Sequence, residues 1–400
     1  MTIGTERSPC DAGVVLGGQA AAPCAEEAKP WVLAATILGS SLAFVLSSVV
    51  NVALPSMQRS LGASVAEMQW IINAYMLLLG ALILVGGSAG DRFGRRRVFA
   101  LGIVVFTLAS VGCALAPDAS TLILARGVQG VGGALLVPAS LAIISATFPK
   151  EERGKAIGTW AGFSALTTAG GPLLGGWLVD AFSWRAVFWS VIPLAVLALA
   201  ITLWRMPESR DDEGAARLDV WGALLATVGL GAATYGLIAS ELGWGDGAVW
   251  TSVLGGVVAL GLFVYVEARS ADPMMPLKLF RSRSFSGANL MSLLLYFALS
   301  GAFFFLPFNF IQVQGYSATL AGAAFLPFTL IMGGLSRWSG GLIDRYGAKK
   351  PLVIGPVMLG WALHFWPCRA SVVRTGRRFC PRCLSSASGW PLAWPRSRRW

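Results

Sequence analysis

Eleven long apolar runs divide this chain of 400 residues, and they restrict its fold more than any other feature. Each run approaches the length of about 20 apolar residues that a helix needs to cross a bilayer. Backbone polar groups cannot face lipid without partners, and the runs are continuous rather than alternating, so they predict helices and not barrel strands. The runs cover roughly residues 31–54, 69–88, 98–116, 120–147, 156–178, 186–204, 219–240, 249–266, 286–311, 318–342 and 351–366. The sequence therefore predicts an all-α integral membrane protein.

Charged residues agree with this class and predict an orientation. Only 13% of the residues are charged, against about a quarter in soluble domains. Seventeen Lys and Arg residues follow even-numbered spans, whereas only Arg59 and Arg185 follow odd-numbered ones. Because basic loops stay in the cytoplasm, we expect the even loops and the N-terminus to be cytoplasmic in a multi-pass protein of the plasma membrane. Residues 1–30 have no apolar core of signal-peptide length, and we expect a disordered cytoplasmic tail.

A basic loop occurs twice between apolar runs. The first copy reads Gly87-Ser-Ala-Gly-Asp-Arg-Phe-Gly-Arg-Arg-Arg97, and a weaker copy begins at Gly340 and contains Asp344, Arg345 and Gly347. Internal repeats of this kind are common in secondary transporters. A simpler interpretation is that each loop is a positive anchor at the cytoplasmic surface.

Three further motifs lie inside spans. Arg126-Gly-Val-Gln129 places a guanidinium in the fourth span, where a charge costs a few kcal/mol. Such an arginine either has a function inside the protein or reaches the membrane interface by snorkelling. The fifth span contains a Gly-Pro pair, Gly171-Pro172, which is either a bendable hinge or ordinary small-residue packing. The first span closes with Asn51-Val-Ala-Leu-Pro55.

On these residues the chain resembles the major facilitator superfamily, and more narrowly its fourteen-span drug:proton antiporters. The resemblance covers most of residues 31–355 and implies a major facilitator fold with about eleven of an expected fourteen transmembrane helices. It also implies four groups of functional residues. These are a gating loop with Gly87, Asp91, Arg92, Gly94, Arg95 and Arg96; a cavity and proton-coupling group with Asn51, Arg126 and Gln129; a hinge with Gly158, Gly171, Pro172, Gly175 and Gly176; and a second-half gating loop with Gly340, Asp344, Arg345 and Gly347.

The chain departs from the family pattern at one important position. Leu46 stands five residues before Asn51, where the family commonly has an aspartate, and spans one to six contain no acidic residue at membrane depth. An antiporter must protonate some group while its substrate leaves. Either another carboxylate takes up the proton, or proton coupling is impaired. Glu241 and Glu267 are weak candidates for the proton acceptor because they lie at span ends.

The resemblance and the spans together predict a domain order. After the tail 1–30, we expect a six-helix bundle over 31–204, two inserted helices over 205–268, a partial second bundle over 269–366 and a basic tail over 367–400. Residues 364–400 contain eight Arg and no Asp or Glu, a composition unlike the rest of the chain. We interpret the tail as the product of a shifted reading frame, which would leave the second bundle without its last three helices.

The leading hypothesis is a transporter that exports drugs or small amphipathic compounds in exchange for protons. A Walker-type phosphate loop and a metal-ligand cluster do not occur in the sequence, so we expect neither an enzyme nor a cofactor. The expected partners are a small-molecule substrate, protons and the lipid bilayer, not nucleic acid, and the oligomeric state is left open. Two other interpretations remain: a non-transporting truncated protein from a damaged gene, and a facilitator for nutrients.

Overall fold

A computed structural model describes residues 28–209, 219–240, 243–270, 275, 277–328, 330–331 and 354. The chain divides into two compact units, Met1–Gly333 and Gly334–Trp400, and the architecture below is that of the first. The expected N-terminal tail, the second-half gating loop and the basic tail 367–400 lie outside the described residues, as does Glu241. Within the described ranges the secondary structure is entirely helical.

Eleven α-helices follow one another along the described part of the chain. They are α1 Lys29–Leu61, α2 Val65–Phe93, α3 Arg95–Leu115, α4 Ala119–Thr147, α5 Lys150–Ala181, α6 Trp184–Trp189, α7 Val191–Arg205, α8 Val220–Ala239, α9 Gly247–Arg269, α10 Arg283–Phe308 and α11 Ala318–Ala323. A 3₁₀ helix, Leu277–Arg281, precedes α10, and a π-helical turn, Asn309–Val313, follows it.

The helices coincide with the predicted spans as far as the structure describes them. In this part of the chain eight helical segments are long and apolar enough to cross a membrane. The segment of the fifth predicted span, α5, is a helix of 32 residues, but it is not among these eight. Its many Gly, Ser and Thr residues lower its mean hydropathy. The total of about eleven spans remains a prediction.

Local sequence determines where helices stop. Between α1 and α2 the chain turns at Gly62, whose φ of 62° is the left-handed conformation that ends many helices. Ser64 then begins α2 with a capping box: its hydroxyl accepts from the Glu67 N–H at 3.2 Å, and the Glu67 carboxylate accepts from the Ser64 N–H at 2.8 Å. These signals place a tight hairpin between the first two spans.

The core of the unit is built around α1, which is buried along most of its length. Its apolar residues Leu42, Leu46 and Leu54 are wholly buried and belong to one cluster with residues of α2 to α7. Leu46, at the position of the family's aspartate, is therefore packed in an apolar environment. Inside a bilayer such side chains stabilise the bundle through close van der Waals packing, because lipid tails are as apolar as leucine.

The inserted hairpin docks on the second helix. The helices α8 and α9 pack closely against each other, and α8 also contacts α2. The Trp70 ring of α2 lies 6.3 Å from the Tyr235 ring of α8, measured between centroids. The insertion was predicted from the sequence, whereas its docking surface was not.

Polar contacts join several loops at one end of the bundle. The Lys29 ammonium, at the start of α1, lies 2.9 Å from the Glu152 carboxylate at the start of α5. The Arg95 N–H, at the start of α3, donates to the Ser209 carbonyl beyond α7 at 2.9 Å. The start of the first span and the loops after the second, fourth and sixth are thus paired with one another.

Loops after odd-numbered spans meet in the same way at the other end. The Arg185 guanidinium, at the start of α6, donates to the Ala116 carbonyl between α3 and α4 at 3.0 Å. The Gln312 amide, in the π-helical turn, donates to the Gln58 amide oxygen near the end of α1 at 3.0 Å. This sorting is what alternating membrane crossings require.

Candidate functional site

Only Gly94 of the predicted gating loop lies outside a helix, because residues 87–93 continue α2 and residues 95–97 begin α3. Gly94 separates the two helices with φ of +106°, a conformation that L side chains rarely adopt. One turn earlier, Oδ1 of Asp91 accepts from the Arg95 guanidinium, at 2.8 Å from Nε and 2.7 Å from Nη2. The pair joins the last turn of one helix to the first turn of the next. Arg92 is exposed, and its guanidinium lies 5.7 Å from the Phe93 ring centroid.

Glu208, a residue that the sequence interpretation missed, holds the start of α3. Its Oε1 accepts from the Arg96 N–H at 3.0 Å, and its Oε2 lies 3.6 Å from the Arg97 guanidinium. The Arg96 guanidinium in turn donates to the Leu203 carbonyl of α7. A Cβ at Gly94 would lie 2.7 Å from the Glu208 carboxylate, so this glycine makes room for the contact. The segment after α7 therefore supplies the cap that α3 lacks locally.

Arg126 lies inside the bundle and not at its surface. The residue is 1% exposed, and its Nε donates to the Ile71 carbonyl of α2 at 3.0 Å. Its Nη1 donates to the amide oxygen of Gln129, one turn along α4. Its guanidinium carbon lies 4.3 Å from the Tyr75 ring centroid, within range of a cation–π interaction. The side chain does not snorkel to an interface.

The network continues to α3 without meeting a carboxylate. The Gln129 amide donates to the Ser110 hydroxyl at 2.7 Å, and that hydroxyl donates to the Phe106 carbonyl at 2.7 Å. The Tyr75 hydroxyl donates to the Ala43 carbonyl of α1 at 3.3 Å. Among the described residues, every hydrogen-bond partner found for Arg126 is neutral, so its charge is distributed over dipoles and an aromatic face.

Asn51 does not join this group. Its amide donates to the Ser47 carbonyl of its own helix at 3.0 Å. A different polar cluster links α1, α4 and α5: the Ser40 hydroxyl donates to the Ser140 hydroxyl at 2.8 Å and accepts from the Trp160 indole N–H at 3.0 Å. The structure thus brings Arg126 and Gln129 together but leaves Asn51 apart from them.

The hinge glycines mark two surfaces of α5. A Cβ at Gly175 would lie 2.5 Å from a methyl carbon of Val49, so this side packs directly on α1. Gly171 likewise has no space for a Cβ beside Ser48. Gly158 differs, because nothing lies within 4 Å of its Cβ position. Packing in the described structure therefore requires a glycine at 171 and 175 but not at 158.

The other surface of α5 contacts α11. A Cβ at Gly176 would overlap the Ala318 carbonyl oxygen, and one at Gly322 would overlap the carbonyl oxygen of Pro172. The two backbones are therefore in reciprocal contact at the Gly-Pro segment. Such close approach between helices needs residues without side chains at the crossing point.

Asp180, also missed from sequence, continues this contact one turn further. Its carboxylate accepts from the Ala318 N–H at 3.1 Å, the Thr319 N–H at 2.7 Å and the Thr319 hydroxyl at 2.6 Å. Burial opposes its ionisation, but the hydrogen bonds from Thr319 and Ala318 outweigh that effect and hold the pKa of this carboxyl below its ordinary value. No local sequence motif predicts the role of Asp180 or Glu208, because each accepts hydrogen bonds from a helix that is distant in sequence.

The second-half gating residues Gly340, Asp344, Arg345 and Gly347 lie outside the described residues. Their role stays a prediction.

Residues 36–368 match the sequence profile of the Major Facilitator Superfamily. The multidrug resistance protein Stp of Mycobacterium tuberculosis is 38% identical over 330 residues, which are 82% of this chain and 61% of that protein. The puromycin resistance protein pur8 of Streptomyces alboniger is 41% identical over 333 residues, which are 82% of this chain and 66% of pur8. The chain thus spans about three fifths to two thirds of the length of these relatives.

Solved structures support the fold. A crystal structure of the peptide transporter POT in complex with sulfate superposes with a TM-score of 0.60, covering 91% of this chain and 77% of that one. At 15% identity this likeness concerns the architecture alone.

Proposed function

The chain belongs to the major facilitator superfamily, whose members are membrane transporters and not enzymes, and from this premise we propose that it exports drugs or other small amphipathic compounds. Proteins that export or confer resistance to multiple drugs, puromycin and tetracenomycin C are among its relatives, which supports this substrate class. The same similarity does not favour a non-transporting truncated product. The Gly-Pro surface of α5 favours an exporter over a nutrient facilitator.

The burial of Arg126 is the strongest structural support for transport by this chain. Placing a guanidinium in a span costs a few kcal/mol even on insertion scales, and snorkelling does not relieve that cost here. Buried charges inside membrane proteins mark substrate or ion pathways. Arg126 and Gln129 are therefore assigned to the cavity and its coupling network. Asn51 is proposed as a cavity residue from the resemblance alone, because its amide bonds within its own helix.

Protons are the proposed coupling ion, as the resemblance to antiporters implies. Arg126 itself does not exchange protons, because guanidinium groups remain charged in proteins. The buried network around it instead responds to a carboxylate elsewhere in the transporter, since Leu46 replaces the family's aspartate. The gating loop Gly87–Arg97 and its copy at 340–350 would then control which side of the cavity is open.

The proposed topology places the N-terminus and the even loops in the cytoplasm of a cell whose plasma membrane holds the protein. The excess of Lys and Arg in those loops supports it. The proposed domain order is a six-helix bundle over 31–204, an inserted pair of helices over 205–268 and a partial second bundle over 269–366.

An accumulation assay tests the function. Cells that express the full chain should accumulate less ethidium and less puromycin than cells with an empty vector, and a protonophore should restore accumulation. Arg126→Lys keeps the charge but loses the planar fork, and we expect it to slow export about tenfold or more at equal membrane abundance. Accumulation equal to the empty vector for both compounds, with the protein present in the membrane, would contradict the proposal.

A further inference from the structure

Asp180, at the end of α5, caps α11, a helix that begins 138 residues later in the sequence. The first N–H groups of a helix lack partners within it, and α11 begins with three such groups on residues 318–320. The Ser317 hydroxyl accepts from the third, at 3.2 Å from Leu320, as a local cap normally does. The carboxylate of Asp180, at the end of α5, accepts from the first two and from the Thr319 hydroxyl.

Independent contacts lie in the same layer of the molecule. The Gly176 and Gly322 backbones meet α11 and α5 respectively, and Gln58 of α1 accepts from Gln312 before α11. These contacts join α1 and α5 of the first bundle to the region between α10 and α11. Next to them lies an open cavity of about 260 Å³ whose lining includes Arg59, Asp180 and Tyr316.

We propose that Asp180 is a latch that holds the odd-loop end of the protein closed, and that the transporter must release this carboxylate from α11 to open on that side. This proposal rests on the proposed transport function in one respect: opening of the odd-loop end is taken to be a step of export. In the latched state one carboxylate satisfies three donors, and in the open state water must replace all three. Asp180 is thus a positioning residue and touches no transported compound.

The charge of the latch is not sensitive to physiological pH. A carboxyl whose pKa is lowered by its contacts stabilises the closed state at pH values above the ordinary value of 3.8 and loses that contribution as the pH falls through the lowered value. The charged or titratable groups that face it across the cavity are Arg59 of α1 and Tyr316 of the turn, and α11 contributes none. We therefore expect the latch to behave alike from pH 5 to pH 8, which distinguishes it from a proton-coupling group.

Distance measurements on the full-length protein test the latch. Spin labels at Phe182 and Leu320, both well exposed, report the separation of α5 from α11, and labels at Phe182 and Leu124 provide a control pair within the first bundle. Asp180→Asn should raise the population with the long separation relative to that with the short one on the order of tenfold. The amide lacks the negative charge, and its NH₂ group is a donor that faces the N–H donors of α11. Thr319→Val removes one donor and should give a smaller rise, and Asp180→Glu should restore most of the short population.

The outcomes separate the latch from transport. An unchanged distance distribution in Asp180→Asn, or a wild-type distribution that shifts between pH 5 and 8, would overturn the latch even if the protein exports drugs. A changed distance in the control pair would mean that Asp180→Asn is misfolded, and Thr319→Val then becomes the test. If the population with the long separation does not rise in Thr319→Val, the latch is rejected. Labels that respond as expected in a chain without export activity would refute the proposed function and leave the latch in place.

Discussion

Two kinds of charged residue organise the protein at the scale of single side chains. Arg126 is buried among neutral partners, where its five N–H donors can be used without a counter-ion. Asp180 lies at the end of α5 and Glu208 in the segment after α7, and each carboxylate accepts from N–H groups at the start of a helix that is distant in sequence. The Arg126 charge is stabilised by a carbonyl, an amide and an aromatic ring, and the carboxylates mainly by backbone N–H groups at helix starts.

Glu208 provides a test of this arrangement. Glu208→Ala leaves the Arg96 N–H without its acceptor and Arg97 without a nearby carboxylate, and loss of a cap costs about 1 kcal/mol. We expect the purified protein to unfold at a temperature lower by ~2–4 °C, with faster proteolysis near residue 94. Glu208→Gln should lie between alanine and wild type, because it keeps an acceptor oxygen.

The neighbouring substitution Ser209→Ala is the matched control. The Ser209 carbonyl, which accepts from the Arg95 N–H, is backbone and survives the change. Equal destabilisation by Ser209→Ala and Glu208→Ala would show that the segment tolerates no substitution and that the carboxylate has no special role.

Sequence reasoning found residues whose rarity is visible along the chain and missed those whose meaning depends on a distant partner. An arginine inside an apolar run draws attention by itself, so Arg126 was predicted, but its contacts with Ile71 and Tyr75 were not. Glu208 and Asp180 stand at span ends, where acidic residues are ordinary. Their roles arise from helix termini that lie 112 and 138 residues away in sequence, which only the fold brings near.

At the scale of elements, α5 is the helix that contacts both α1 and α11. It packs on α1 through Gly171 and Gly175 and on α11 through Gly176, so three glycines serve two surfaces. The sequence predicted a special role for this Gly-Pro segment but could not distinguish a hinge from a contact surface. The close approach of the Gly176 and Gly322 backbones shows a contact surface in this structure.

Alanine substitutions on α5 separate the two uses of its glycines. Gly176→Ala forces a methyl group into the Ala318 carbonyl, and overpacking of this kind costs typically about 1–3 kcal/mol. We expect lower thermal stability and loss of drug export in the accumulation assay. Gly170→Ala, in the same helix, places its methyl where nothing lies within 4 Å and should leave stability and export near wild type. Similar losses in both variants would mean that helix flexibility, and not close contact, is what the glycines provide.

At the scale of the whole molecule, polar contacts sort the described loops into two groups. The start of α1 pairs with the start of α5, and the α2–α3 break pairs with the segment after α7. The α3–α4 turn pairs with the start of α6 at the opposite end. The charge count along the sequence predicted the same grouping without any knowledge of contacts, because insertion acts on loop charge before the helices pack.

Labelling from one side of the membrane tests the orientation of these two groups. In a chain whose six cysteines are replaced by serine, single cysteines at Phe182 and Gly245 report odd loops, and those at Glu151 and Leu279 report even loops. All four positions are exposed in the structure, so accessibility across the membrane and not burial decides whether each reacts. An impermeant maleimide should label 182 and 245 in intact cells, and should label 151 and 279 only after permeabilisation. Labelling of 245 on the side opposite to 182 would mean that the inserted hairpin does not cross the membrane as α8 and α9 predict. The reverse pattern at all four positions would place the N-terminus outside, and the latch at Asp180 would then face the cytoplasm.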